Sequence, residues 1–210
     1  MSLLRAYNME EKISFKSDGL QLQGLLHRAG VRGVVVTHPH PRYGGDMYNP
    51  VVETITRTFQ HQGYTTLRFD FRGVGSSQGR YDKGIGEKRD VCRALDYLAR
   101  IHMDKICLAG YSFGAWVNAQ IHSGDAPVSE MIMVSPPVAF IDFGPIQELA
   151  NLKLVITGSE DDIAPVQMIQ ERLPAWNPTT RFEIIPGADH FFSGYAGILA
   201  STLMAHIEAI

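Results

Sequence analysis

Ser112 lies at the centre of Gly110-Tyr111-Ser112-Phe113-Gly114, a G-x-S-x-G run, and a serine so placed can attack a carbonyl carbon if its proton is taken away. Ahead of it, Ile106, Cys107, Leu108 and Ala109 form the short apolar run of a buried parallel strand. Behind it, Ala115, Val117, Asn118, Ala119 and Ile121 suit a helix. A chain passing straight from strand to helix cramps the backbone at the corner, and glycines on both sides remove the Cβ atoms that would collide there. The motif alone is ambiguous, because a glycine-rich strand-to-helix turn can be only a turn. Chemistry at Ser112 needs a base, an acid to orient the base, and oxyanion donors.

The rest of the chain must position those groups. Glu11–Ser17 and Leu20–His27 alternate apolar and polar residues around Ser17-Asp18-Gly19, which predicts a hairpin. Residues 33–38 (GVVVTH) read as a central strand that runs into His38-Pro39-His40-Pro41-Arg42-Tyr43-Gly44-Gly45, where a helix is disfavoured. Asn49 and Pro50 then open a helix reaching about His61, which Gly63 ends. Residues 64–70 form the next strand, followed by the glycine-rich turn 71–79. A dinucleotide site is disfavoured there, because Gln78 stands where the third glycine belongs and no helix follows directly. Val91, Leu95, Leu98 and Ile101 recur at helical spacing over residues 86–101.

Beyond the serine, Glu130–Val134 and residues 152–157 read as strands. The segment 138–151 between them is too short for a cap domain. A helix over about 166–173, a strand Arg181–Ile185 and a helix over about 195–209 complete the chain. Alternating strands and helices after a leading hairpin predict the α/β class: a mostly parallel, twisted, eight-stranded sheet with helices on both faces. Sites on such sheets form at the carboxyl ends of strands, so the loops carrying Ser112, Asp161 and His190 share one rim.

At 210 residues, 45% hydrophobic and 20% charged, the chain suits one domain over residues 1–210. A net charge of -3 offers no basic surface of the kind nucleic acid or an anionic membrane demands, and favours a small or neutral partner. Cys92 and Cys107 sit in apolar patterns and read as reduced structural thiols. The N-terminal MSLLRAYNMEEK lacks a signal-type apolar region, and no run of eighteen apolar residues occurs, so the expected location is cytoplasmic.

Taken in order, THPHPRYGGDMYNPVV, LRFDFRGVGSSQG, GYSFG, GSEDDIAP and PGADHFF resemble the α/β-hydrolase superfamily, in particular small capless bacterial hydrolases with an HPHP…GG oxyanion loop. The resemblance spans nearly the whole chain and implies an α/β-hydrolase fold without a cap domain. It puts the nucleophile, acid and base on Ser112, Asp161 and His190. An imidazole in the loop after the last strand can take the Ser112 proton and return it to the leaving group, and Asp161 would hold its tautomer. Asp162 is the rival acid; the family's spacing of four residues before the proline selects Asp161, ahead of Pro165. Otherwise Glu160, Asp161 and Asp162 form a solvated acidic turn or a helix cap.

The family's oxyanion donors would be the backbone N–H of Phe113 and, because proline has none, that of His40 between Pro39 and Pro41. Gly44 and Gly45 would let the loop approach substrate, or only shape a turn. Tyr43 and Tyr111 are candidate substrate contacts, within a set that includes Met47, Tyr48, Phe113, Phe140, Phe143 and Phe191 and fits either cleft or core. His38 and His40 also spell H-x-H, but a zinc site needs a third ligand; only Asp46 is near, so no metal is expected. His27, His61, His102, His122 and His206 read as surface or structural. The expected activity is carboxylic ester hydrolysis on a small-molecule acyl substrate through an acyl-enzyme, without a cofactor. Amide or thioester hydrolysis by the same groups, or non-catalytic binding on the scaffold, are the alternatives, and oligomeric state is not legible.

Overall fold

The computed structural model describes residues 10–121 and 127–209; residues 1–9, within the N-terminal stretch read for a signal, and His122 lie outside these. Eight strands form one sheet in the order β1-β2-β4-β3-β5-β6-β7-β8. The strands are β1 (Glu11–Ser17), β2 (Leu20–His27), β3 (Arg32–Thr37), β4 (Thr65–Phe69), β5 (Lys105–Tyr111), β6 (Glu130–Val134), β7 (Leu152–Gly158) and β8 (Arg181–Ile185). β1 and β2 form the expected hairpin and β2 pairs antiparallel with β4; every pairing from β4 to β8 is parallel.

The inner parallel strands, β3 to β7, are buried on both sides, which is why they read as nearly continuous apolar runs, whereas the edge strand β8 is largely open. On one face, Val35, Leu108, Met133 and Val155 meet α2 (Ile85–Arg100), α3 (Phe113–Asn118) and α4 (Val166–Trp176). On the other, Val34, Ala109, Ile132 and Leu154 meet α1 (Pro50–His61) and α5 (Ala196–Ile207). Asn49 caps α1 through its Oδ1, which accepts the Val51 N–H at 2.9 Å.

Several bounds differ from expectation. α3 stops at Asn118 rather than continuing to Ile121. α4 runs past Pro174 to Trp176, where burial against Phe143 (ring centroids 5.3 Å apart) carries the last turn beyond the proline. As expected, no helix opens directly after the glycine turn 71–79; α2 starts at Ile85, one residue ahead of the expected bound. Instead Arg72 turns inward, pairs with Asp90 at 2.7 Å and reaches Asp18 at 3.0 Å, fastening this turn to α2 and to the β1–β2 hairpin. Neither cysteine enters a disulfide. Among the described residues no helix is long and apolar enough to cross a membrane.

Candidate active site

Ser112 sits between β5 and α3 with φ 54° and ψ -121°, a left-handed conformation that costs a non-glycine residue about 1–3 kcal/mol. Packing explains why the neighbours are glycines. A Cβ on Gly110 would come within 2.5 Å of Asn118 Nδ2, and one on Gly114 within 2.6 Å of Thr37 Oγ1. α3 can therefore lie tightly on the sheet only if both positions lack a side chain, and the corner pushes Ser112 toward the rim.

The loops after β7 and β8 carry the acid and the imidazole. Their strands are neighbours, and the loops are laced together by Ser159 N–H to Ile185 O and Glu160 N–H to Ala188 O, both at 3.0 Å. His190 Nε2 lies 2.9 Å from Ser112 Oγ, and its Nδ1 lies 2.9 Å from each oxygen of Asp161. A carboxylate can only accept, so Nδ1 carries the hydrogen and Nε2 is left to accept the serine proton. All three side chains are buried, at 7%, 3% and 7% exposure for Ser112, Asp161 and His190.

Asp161 is the residue that meets His190; Asp162 is exposed and makes no such contact. Asp161 Oδ1 also accepts the N–H groups of Ile163 (3.0 Å) and Ala164 (2.8 Å). Burial works to raise its pKa, but the bond to His190, the imidazole charge and the Ala164 N–H outweigh burial and hold the carboxyl below its ordinary range.

The loop after β3 folds into one 3₁₀ turn, Pro41–Tyr43, ended by Gly44 at φ 79°. A Cβ on Gly45 would strike the Pro39 carbonyl, so the loop doubles back on itself only because this residue is glycine. Among the described residues, neither the Phe113 nor the His40 backbone N–H meets an acceptor, while the His40 carbonyl accepts from Tyr43 and Gly45. The His40 ring packs tilted against Phe113, with centroids 4.7 Å apart, and its Nε2 contacts the Tyr81 hydroxyl at 3.2 Å, which fixes that stretch of backbone over the Ser112 corner.

His38 does different work. Its ring is fully buried, with Nε2 accepting the Phe71 N–H at 3.0 Å and Nδ1 donating to the Pro39 carbonyl at 2.7 Å. Both nitrogens are engaged with backbone, so the H-x-H pair ties the β3 loop to the β4 loop. Burial pushes its pKa down to about 4.

A cleft of about 400 Å³ opens above Ser112, bounded by Tyr43, Gly44, Gly45, Phe140, Ile141 and Phe191 among others. Among the described residues no lysine, arginine, aspartate or glutamate lines it. Tyr43 and Phe140 meet edge to face at 5.8 Å although both are largely exposed, so the mouth is framed by rings from two separate loops. Tyr111 and Phe113 also border the cleft but are buried, and the Tyr111 hydroxyl is turned away from a substrate role: it donates to the His190 carbonyl at 2.9 Å. Met47 and Phe143 belong to the core, and Tyr48 is exposed beside Arg68. His206 bonds Glu130 at the far end of the sheet.

A mostly parallel eight-stranded sheet with a serine corner after β5, and an acid and an imidazole after β7 and β8, defines a hydrolase scaffold. The chain belongs to the alpha/beta hydrolase family, whose model matches residues 34–193. An uncharacterized protein of Rickettsia prowazekii is 36% identical over 168 residues, which cover 75% of this chain and 71% of that protein. A solved alpha-beta serine hydrolase homologue from Coxiella burnetii superposes with a TM-score of 0.87 at 33% identity, covering 96% of this chain and 99% of its own. A serine hydrolase without lid from Xanthomonas campestris gives 0.87 at 28% identity, covering 95% and 94%. Fungal relatives named as polyketide transferase and thiohydrolase are matched over only about half their length, 50% and 52% in two cases.

Proposed function

We propose that this protein is a serine hydrolase that cleaves carboxylic esters of neutral small molecules through an acyl-enzyme at Ser112. The observation that carries the reading is the continuous hydrogen-bonded line from Ser112 Oγ through His190 to Asp161, each contact 2.9 Å long. In this mechanism Nε2 takes the serine proton as Oγ bonds to the carbonyl carbon, and Asp161 stabilises the imidazolium that forms. The oxyanion is received by the N–H groups of Phe113 and His40, each typically contributing about 3 kcal/mol to the transition state. Nε2–H then protonates the departing alkoxide; next it takes a proton from water, whose oxygen releases the acid and restores Ser112.

An uncharged aromatic cleft favours a neutral acyl group and a neutral alcohol, because a charged substituent would lose its hydration there without gaining a partner. Gly44, Gly45 and Tyr43 would contact the substrate, with no cofactor taking part. The protein would act as a single domain in the cytoplasm. Purified protein should react with a fluorophosphonate probe and hydrolyse p-nitrophenyl acetate, and Ser112→Ala should do neither while keeping its circular dichroism and melting temperature. Undiminished turnover in that variant would overturn the proposal; hydrolysis of thioesters but not esters would replace its substrate class.

A further inference from the structure

A second cleft, of about 560 Å³, lies at the opposite, amino-terminal end of the parallel strands. Four cations border it: Arg32, the first residue of β3, Lys105, the first of β5, Lys153 in β7 and Arg181, the first of β8. We infer that this cleft is a binding site for a small molecule carrying more than one anionic group, with phosphoanhydrides as the fitting class.

Three observations support the inference. Arg32 and Lys105 are direct partners in the parallel β3–β5 register, so two exposed like charges start from adjacent positions, and an anion between them would relieve their repulsion. Lys105 and Lys153 make no ion pair among the described residues. Glu130, the carboxylate in the cleft wall, is bonded to His206 Nε2, which also borders the cleft, and Glu183 pairs with Arg181 Nε. Arg32 is fixed by stacking over the Tyr64 ring at 4.4 Å and not by an acid. Tyr64 supplies the third observation, since it is 4% exposed, borders the cleft, and its hydroxyl makes no hydrogen bond among the described residues.

This local excess of positive charge runs against the sign of the whole chain, which is -3. β5 and β7 are two strand spacings apart, roughly 10 Å, so their lysines can grip two anionic groups of one molecule better than they can share a single one. The Tyr64 hydroxyl would donate to a bridging or terminal oxygen from the floor.

Inorganic pyrophosphate is the probe, titrated into the full chain at constant ionic strength and followed by calorimetry and melting temperature. Wild type should bind saturably and more tightly than to orthophosphate. Lys105→Gln and Lys153→Gln should each weaken binding about tenfold, and Tyr64→Phe severalfold, with p-nitrophenyl acetate hydrolysis unchanged as a check on folding. Without pyrophosphate, Lys105→Gln should melt at or above wild type, because it removes the repulsion with Arg32. Absence of saturable binding, equal binding by the lysine variants, or a lower melting temperature for Lys105→Gln would each overturn the inference.

Discussion

The Tyr111 hydroxyl donates a hydrogen bond to the His190 carbonyl at 2.9 Å, so the residue just before Ser112 in sequence holds the loop that carries its partner imidazole. Burial, followed by the charges of Asp161 and Asp189, raises the Tyr111 pKa and keeps this hydroxyl a donor at any working pH. Tyr111→Phe keeps the ring and removes the donor. It should cost about 1 kcal/mol of stability and, by loosening the His190 loop, lower kcat roughly tenfold with little change in KM. Denaturant titration and ester kinetics check both; a KM effect alone would mean that Tyr111 contacts substrate.

The two neighbouring aspartates should separate cleanly. Asp161→Asn would present an amide where the imidazole needs an acceptor, and kcat should fall by about ten thousandfold, as when the orienting acid is lost elsewhere. Asp162→Asn, at an exposed position, should leave kcat within twofold. Steady-state hydrolysis of one ester by both variants tests the assignment.

Phe140 is 58% exposed and meets Tyr43 across the cleft mouth, so Phe140→Ala should hardly alter stability. Its expected effect is on chain length: KM for p-nitrophenyl hexanoate should rise severalfold while the acetate value stays put, because only the longer chain reaches the ring. A parallel rise for both esters would place Phe140 outside the acyl path.

His38 sets an acid limit on the fold. Its pKa is near 4 when folded against 6.5 in the open chain, so between those values the unfolded state binds the extra proton and stability falls as pH falls. Carried through the whole window, the loss is about 3 kcal/mol. Asp161, depressed below its ordinary 3.8, has the same sign at lower pH: its contribution is present above that value and vanishes as the carboxyl protonates. Urea midpoints from pH 7 to 4.5 should therefore decline in wild type and decline less in His38→Gln.

Much of this architecture could be read from residues alone. The β1–β2 hairpin, the β6 and β8 bounds and the Asn49 cap follow from alternation, apolar runs and local hydrogen bonding, which are properties of neighbours in sequence. Ser112, Asp161 and His190 were legible through the resemblance of GYSFG, GSEDDIAP and PGADHFF to α/β-hydrolase motifs, each of which follows a strand on the same sheet edge. The Tyr111 hydroxyl was not, since its acceptor lies 79 residues away and is a carbonyl that any residue would supply. Equally hidden was the sorting of aromatics: Tyr43 and Phe140 at the mouth, Phe143 in the core, all from irregular segments whose side-chain directions have no period. The inward turn of Arg72 onto Asp90 and the second cleft depend on which strands become neighbours, an order that composition does not carry.

The positive φ at Ser112 has a consequence for how such a chain would drift. Glycine would sit there without strain, so every generation offers a substitution that relaxes the backbone and makes the molecule harder to melt. A lineage that no longer needed the hydroxyl would be expected to take that exit early. On the proposed function, a serine at the least comfortable corner of the backbone is what a need for its hydroxyl, set against ease of folding, would retain.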